Sequence, residues 1–112
     1  MITIKLSRNF EKLSVRLEVS GHAGQAEKGH DIVCSAVSIL TYTFATVIKE
    51  LDFSERLAEP AIVEMTSGSA VIQAVCRFTN NFSKVIIAMD TVEKGYELIE
   101  DKYPEYVELI EA

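Results

Sequence analysis

Residues 21–38, GHAGQAEKGHDIVCSAVS, place three glycines, two histidines, an aspartate and a cysteine between a strand-like and a helix-like pattern. Gly21, Gly24 and Gly29 reach backbone conformations closed to other residues, so the chain leaves its strand here through a loop and restarts as a helix. Asp31 suits the N-cap of that helix, where its carboxylate would accept a backbone N–H two or three residues on. With Asp31 as cap, Ile32, Val33 and Cys34 are the first three helical residues. Cys34 then stands in the first turn, where unpaired N–H groups and the helix dipole favour negative charge. A thiol in such a setting gives up its proton more readily and becomes a nucleophile. His22 precedes Cys34 by twelve residues and is free to fold back toward it. The loop, about ten residues, exceeds what a strand-to-helix connection needs, and such loops tend to carry function.

The flanking patterns set the fold class. Ile2, Ile4 and Leu6 alternate with Thr3, Lys5 and Ser7, and Leu13, Val15, Leu17 and Val19 with Ser14, Arg16 and Glu18. Period two predicts an antiparallel hairpin with one wet face, joined around Asn9. From Ile32 to Leu51, Val33, Val37, Leu40, Phe44, Val47, Ile48 and Leu51 recur at helical spacing. Ala36, Ile39, Tyr42 and Ala45 leave this helix little charge, so it is expected to be covered on more than one side, by a sheet and by a second copy of the chain. The β-branched Thr41, Thr43, Thr46 and Val47 oppose a helix, but the length of the pattern decides for one.

Pro60 closes a charged loop. Ala61–Thr66 and Ala70–Phe78 predict a second hairpin turned at Ser67-Gly68, with Ile72, Ala74, Cys76 and Phe78 on one face. From Phe82 the period is helical again through Val85, Ile86, Met89, Val92, Tyr96 and Ile99, and Lys84, Asp90, Glu93, Lys94, Glu97 and Glu100 form the solvated side. Pro104 ends the helix, and residues 106–110 form a last strand or a tail. The order β-β-α-β-β-α(-β) predicts an α/β chain of the two-layer α+β kind, an antiparallel or mixed sheet of four to five strands with two helices on one face.

With 112 residues, 48% of them hydrophobic, one domain over 1–112 is expected. Met1 leads directly into an alternating segment rather than a signal peptide, and the apolar runs break before the roughly 20 residues of a membrane span. Two cysteines without a secretion signal predict free thiols and a cytoplasmic protein. A net charge of −6 disfavours direct nucleic-acid binding and suits a basic protein partner.

Each residue has a bland role as well: Cys34 as a small buried hydrophobe, Asp31 as a cap alone, His22 as a loop residue, the glycines as a turn. Their coincidence on one loop points to nucleophilic catalysis. A cysteine nucleophile needs a base, a group to orient the base, and donors for an oxyanion. His22 supplies the first, Asp31 or Ser38 the second, and N–H groups near Cys34 and Ser35 the third. Ser38 lies one turn beyond Cys34 on the same side of the helix. His30 reads as a solvated loop residue, Cys76 as core, and Ser35 has no special claim as a nucleophile. No metal or other cofactor is implied, because C-x-x-C and H-x-x-x-H are both missing and His22, His30 and Cys34 do not fall at a usual ligand spacing.

Gly21-His22-Ala23-Gly24 followed by Gly29-His30-Asp31-Ile32-Val33-Cys34-Ser35-Ala36-Val37-Ser38 resembles the ribosomal-processing cysteine protease family (Prp, YsxB-like). The length, the element order and the Lys102-Tyr103-Pro104 ending agree with it. The resemblance implies a cysteine endopeptidase that removes the N-terminal extension of large-subunit ribosomal protein twenty-seven in support of ribosome assembly. It implies His22 and Cys34 as the dyad, Asp31 and Ser38 as supporting residues, an apolar cleft beside Cys34, and a homodimer. Ser35 stands where alanine is more usual and Gln25 where an aromatic is common, which bears on specificity. The glycine loop is expected to be mobile until peptide binds. A non-catalytic ribosome-assembly module that binds a protein partner, and redox sensing by Cys34, are the competing readings.

Overall fold

The computed structural model describes residues 1–22 and 30–111, and of His30 and Asp31 the backbone alone. Seven elements follow in the order β1 (Ile2–Asn9), β2 (Ser14–Ser20), α1 (His30–Phe53), β3 (Ile62–Thr66), β4 (Ser69–Val75), α2 (Thr79–Lys102) and β5 (Val107–Glu111). The strands form one sheet in the order β3-β4-β2-β1-β5. All neighbours are antiparallel except β1 and β5, so the sheet is mixed and the final segment is a strand.

Alternation in β1 and β2 settles which face is buried. Ile2, Ile4, Leu6, Val15 and Leu17 point into the core, where Ile72 and Ala74 of β4 and Val107 of β5 join them. The helices bring Val33, Val37, Phe44 and Ile48 from α1 and Val85, Met89, Val92 and Tyr96 from α2 against that face. α1 and α2 approach closely at Gly95, where a Cβ would come within 2.7 Å of the Leu40 methyl groups. The N-cap of α2 is Phe78, which offers no side-chain cap, and both polar atoms of the fully buried Asn81 side chain are without a hydrogen-bond partner among the described residues.

Several boundaries and faces differ from the sequence reading. Leu13 is not in the strand: with φ of 55° it closes the β1–β2 connection, whose other end is folded by Asn9 Oδ1 accepting from the N–H groups of Glu11 and Lys12. β4 ends at Val75, and Phe78 is 51% exposed because it caps α2 rather than continuing the face of Ile72, Ala74 and Cys76. Glu93 is not on the solvated side of α2. It is buried at 8% exposure, where Arg8, the inward-pointing residue at the end of β1, reaches it at 2.7 Å. The same guanidinium holds Asp90 at 2.8 Å and stands 3.8 Å from Glu111 of β5. An alternating strand whose last inward-pointing residue is an arginine thus ties β1, α2 and β5 together.

The apolar pattern of α1 also runs further than expected. Residues 32–53 are long and apolar enough, by length and composition, to cross a membrane. In the fold Val33, Val37, Phe44, Ala45 and Ile48 of this helix belong to the core, with Thr41 buried beside them. Its outer positions include Ile32, Ile39 and Tyr42, all exposed.

Candidate active site

The last strand residue of β2 hands the chain to Gly21, whose φ is +95°. Glycine is required here, because a Cβ would drive into the Met1 carbonyl. Gly21 donates its N–H to the carbonyl of Gly68 at 2.9 Å, and the Met1 amino group donates to the carbonyl of His22 at 2.8 Å. Two backbone bonds from opposite sides therefore fix where the His22 side chain leaves the main chain. Gly68, in the β3–β4 turn with φ of +80°, lies directly against the imidazole. A Cβ there would come within 2.7 Å of Cε1 and 3.1 Å of Cδ2 and still closer to Nε2. The sequence marked Ser67-Gly68 only as a turn; its contact with the ring depends on sheet register and has no local signal.

His22 and Cys34 line one cleft of about 420 Å³. Its floor includes Ile2, Val19, Val37 and Ala70, and its rim includes Ser38, Tyr42, Met65, Thr66 and Ser67. Helical spacing explains the α1 side, since Cys34, Ser38 and Tyr42 follow one another at successive turns. Ser38 thus reaches the cleft as the spacing predicted. Cys34 is half-buried and packs partly against the core, whereas Cys76 is fully buried as expected and burial pushes its thiol up. Ser35 is exposed and is not among the residues that line the cleft.

Thr41, one turn beyond Val37, is the lining residue tied most deeply into the protein. Its hydroxyl donates to the Val37 carbonyl at 2.7 Å and pairs at 2.7 Å with the hydroxyl of Tyr96, which is fully buried. Burial pushes the Tyr96 phenol up to about 12, against the hydrogen bond with Thr41, which lowers it. The pair ties the back of the cleft to α2.

Two sequence expectations change at the start of α1. The helix begins at His30, so His30 is helical rather than a loop residue and Asp31 is the second helical residue rather than the cap. Cys34 is accordingly the fifth residue, and the N–H groups of Cys34 and Ser35 point back to carbonyls four residues earlier. The donors that a helix start leaves without intrahelical partners lie in its first turn, ahead of Cys34 and Ser35. Gly24, Gln25 and Gly29, the side chain of Asp31 and the proposed loop mobility lie outside the described residues. Among the described residues, no three His, Cys, Asp or Glu side chains converge as a metal site.

Four likenesses bear on this arrangement. The model of the family described as cysteine protease Prp matches residues 1–108. The ribosomal processing cysteine protease Prp of Mycoplasma genitalium is 28% identical over 107 residues, covering 96% of this chain and 92% of that protein. The essential ribosomal processing protease Prp of S. aureus, solved with a substrate peptide, superposes with a TM-score of 0.71 at 25% identity over all of both chains. The same S. aureus protease solved with a covalently linked product peptide gives a TM-score of 0.71 at 26% identity, again over both whole chains.

Proposed function

This chain belongs to the cysteine protease Prp family, and within that activity we propose that Cys34 is the nucleophile and His22 the base. The observation that carries the assignment is the shared cleft, lined by His22 and Cys34 together with Ser38. The thiol proton passes to His22, and the Cys34 sulfur attacks the scissile carbonyl. The oxyanion forms near the N-terminal N–H groups of α1, where dipole and donors favour it. His22 then gives its proton to the leaving amine, and a thioester links Cys34 to the N-terminal product. Water activated by His22 hydrolyses that thioester and restores the thiol. The covalently linked product peptide of the S. aureus relative supports such an acyl-enzyme. Ser38 supports the site from the cleft wall and Asp31 from the first turn of α1.

The substrate is proposed to be the N-terminal extension of large-subunit ribosomal protein twenty-seven, processed in the cytoplasm. The net charge of −6 suits a basic ribosomal protein, and the ribosomal processing role of the relatives suits the same choice. A homodimer is proposed as the working form, with the exposed Ile39 and Tyr42 of α1 in its interface. Light scattering of the purified protein at micromolar concentration tests this, with twice the 12.5 kDa chain mass expected.

Incubation with a peptide of the ribosomal protein's extension, read by mass spectrometry, tests the central reading. One defined cut is expected, absent in Cys34→Ala and in His22→Ala. Cutting by a folded Cys34→Ala variant would overturn the assignment of the nucleophile. An alkylatable Cys34 without any cut would show the substrate to be wrong.

A further inference from the structure

The end of the sheet beside the cleft is a strand with one edge unpaired among the described residues. β3 lies outermost in the order β3-β4-β2-β1-β5 and is joined to β4 by a two-residue turn. In that geometry Thr66 and Ser69 exchange both hydrogen bonds, and alternation then directs the N–H and C=O groups of Glu64 and Ile62 toward β4 as well. The groups of Met65 and Val63 consequently point away from the sheet. The far side of β4 agrees: Gly21 N–H donates to Gly68 and Cys76 N–H to Leu13 at the two ends of the β2–β4 ladder, so alternation turns the backbone groups of Ala70, Ile72 and Ala74 to β2 and leaves those of Ser69, Val71 and Gln73 for β3. Further along the edge the N–H of Ala61 is taken by Asp52 Oδ2 at 3.2 Å, whereas those of Val63 and Met65 have no such side-chain partner among the described residues.

The open positions lead into the site. Met65 and Thr66 line the cleft that holds His22 and Cys34, and Gly68 of the following turn lies against the His22 ring. The side chains of Val63 and Met65 are half-buried and pack on the core, so the edge is held rigid while its outward backbone groups stay unpaired. Such an edge is a template for strand addition. Charge supports a basic occupant: from Ala58 to Cys76 the chain carries Glu59 and Glu64 and no lysine or arginine.

We propose that the substrate peptide docks as an added strand on the free edge of β3, through the backbone N–H and C=O groups of Val63 and Met65, and passes from there into the cleft beside Cys34. The inference rests on the peptidase reading above. Backbone pairing holds the peptide with little regard to sequence, so side-chain selection falls to the cleft itself. Because paired residues alternate, only every second peptide residue along the edge gives its N–H to β3.

The experiment uses the wild-type protein with the extension peptide methylated at one backbone nitrogen at a time, away from the scissile bond. Losses in kcat/KM of about tenfold are expected at every second position, with near-native values between them. Amide exchange of the Cys34→Ala variant with uncut peptide reads the same contact from the protein side, with new protection at Val63 and Met65. Cleavage with a flat methylation profile and unprotected amides would overturn strand addition and leave the peptidase reading intact. Protection without cleavage by wild-type protein would uphold the docking edge and refute the assigned reaction. Neither protection nor cleavage would overturn both.

Discussion

The N–H of Gly21 donates to the carbonyl of Gly68 at 2.9 Å, joining the chain just before His22 to the turn between β3 and β4. The bond places the imidazole over a residue that has no side chain, and both glycines hold positive φ, at +95° and +80°. A histidine on a glycine-rich connection is therefore set by a hairpin almost fifty residues away (positions 21 and 68) rather than by its own neighbours.

Gly68→Ala tests that dependence. The left-handed backbone alone costs an alanine about 1–2 kcal/mol, and the new methyl displaces the His22 ring. We expect a folded protein whose Tm falls by several degrees and whose kcat/KM drops about 100-fold, since small misplacements of a catalytic group have effects of that order. Ser67→Ala, in the same turn, should change stability by less than about 0.5 kcal/mol. Unchanged kcat/KM in Gly68→Ala would mean that the ring position is immaterial to catalysis.

Alkaline unfolding should report Tyr96. Its folded value of about 12 exceeds the ordinary 10.0, so the fold favours the protonated phenol. The contribution to stability is complete below pH 10 and is lost as pH rises toward 12. Urea midpoints measured across that range should fall more steeply for the wild type than for Tyr96→Phe. Thr41→Val removes the bond that lowers the phenol, leaves its hydroxyl buried without a partner, and should cost about 1–3 kcal/mol at neutral pH.

The Arg8 cluster sets an acid-side dependence of the opposite origin to the usual carboxylate. Burial and a hydrogen bond with Glu111 push the Glu93 carboxyl above its ordinary 4.5, against Arg8, which pulls it down. Its share of stability is thus complete below pH 4.5 and is lost as pH rises through the elevated value. Stability of Glu93→Gln relative to wild type should increase over that window, measured by urea midpoints from pH 4 to 7. Arg8→Ala removes the guanidinium that serves Asp90, Glu93 and Glu111 and should cost about 2 kcal/mol, the scale of a charged hydrogen bond.

Asn81 gives a test in the stabilising direction. Both polar atoms of its side chain are buried without a partner among the described residues, and such groups cost about 1–3 kcal/mol each. Asn81→Leu, which keeps the branched shape and carries no polar atom, should raise Tm by several degrees without changing peptide cleavage. A lower Tm would show that the amide is satisfied within the core.

The sequence alone determined the elements and the shared helix face of Cys34 and Ser38. Period two in β1 and β2 and helical spacing in α1 and α2 are local consequences of which face meets the core, and they read directly from Ile2, Ile4 and Leu6 or from Val33, Val37 and Phe44. Cys34 and Ser38 share a helix face by spacing, so their common cleft was legible before any fold. Other features were decided by tertiary structure. Parallel pairing of β5 with β1, the outermost place of β3, the seat of His22 on Gly68, the Thr41–Tyr96 pair and the burial of Glu93 by Arg8 each join residues far apart in the chain. Local propensity holds no record of such partners: Glu93 is an ordinary surface acid until an inward-pointing arginine at the end of another strand offsets the loss of water. Helix and strand follow from nearest neighbours, whereas a catalytic cleft follows from which neighbours the packed sheet brings together.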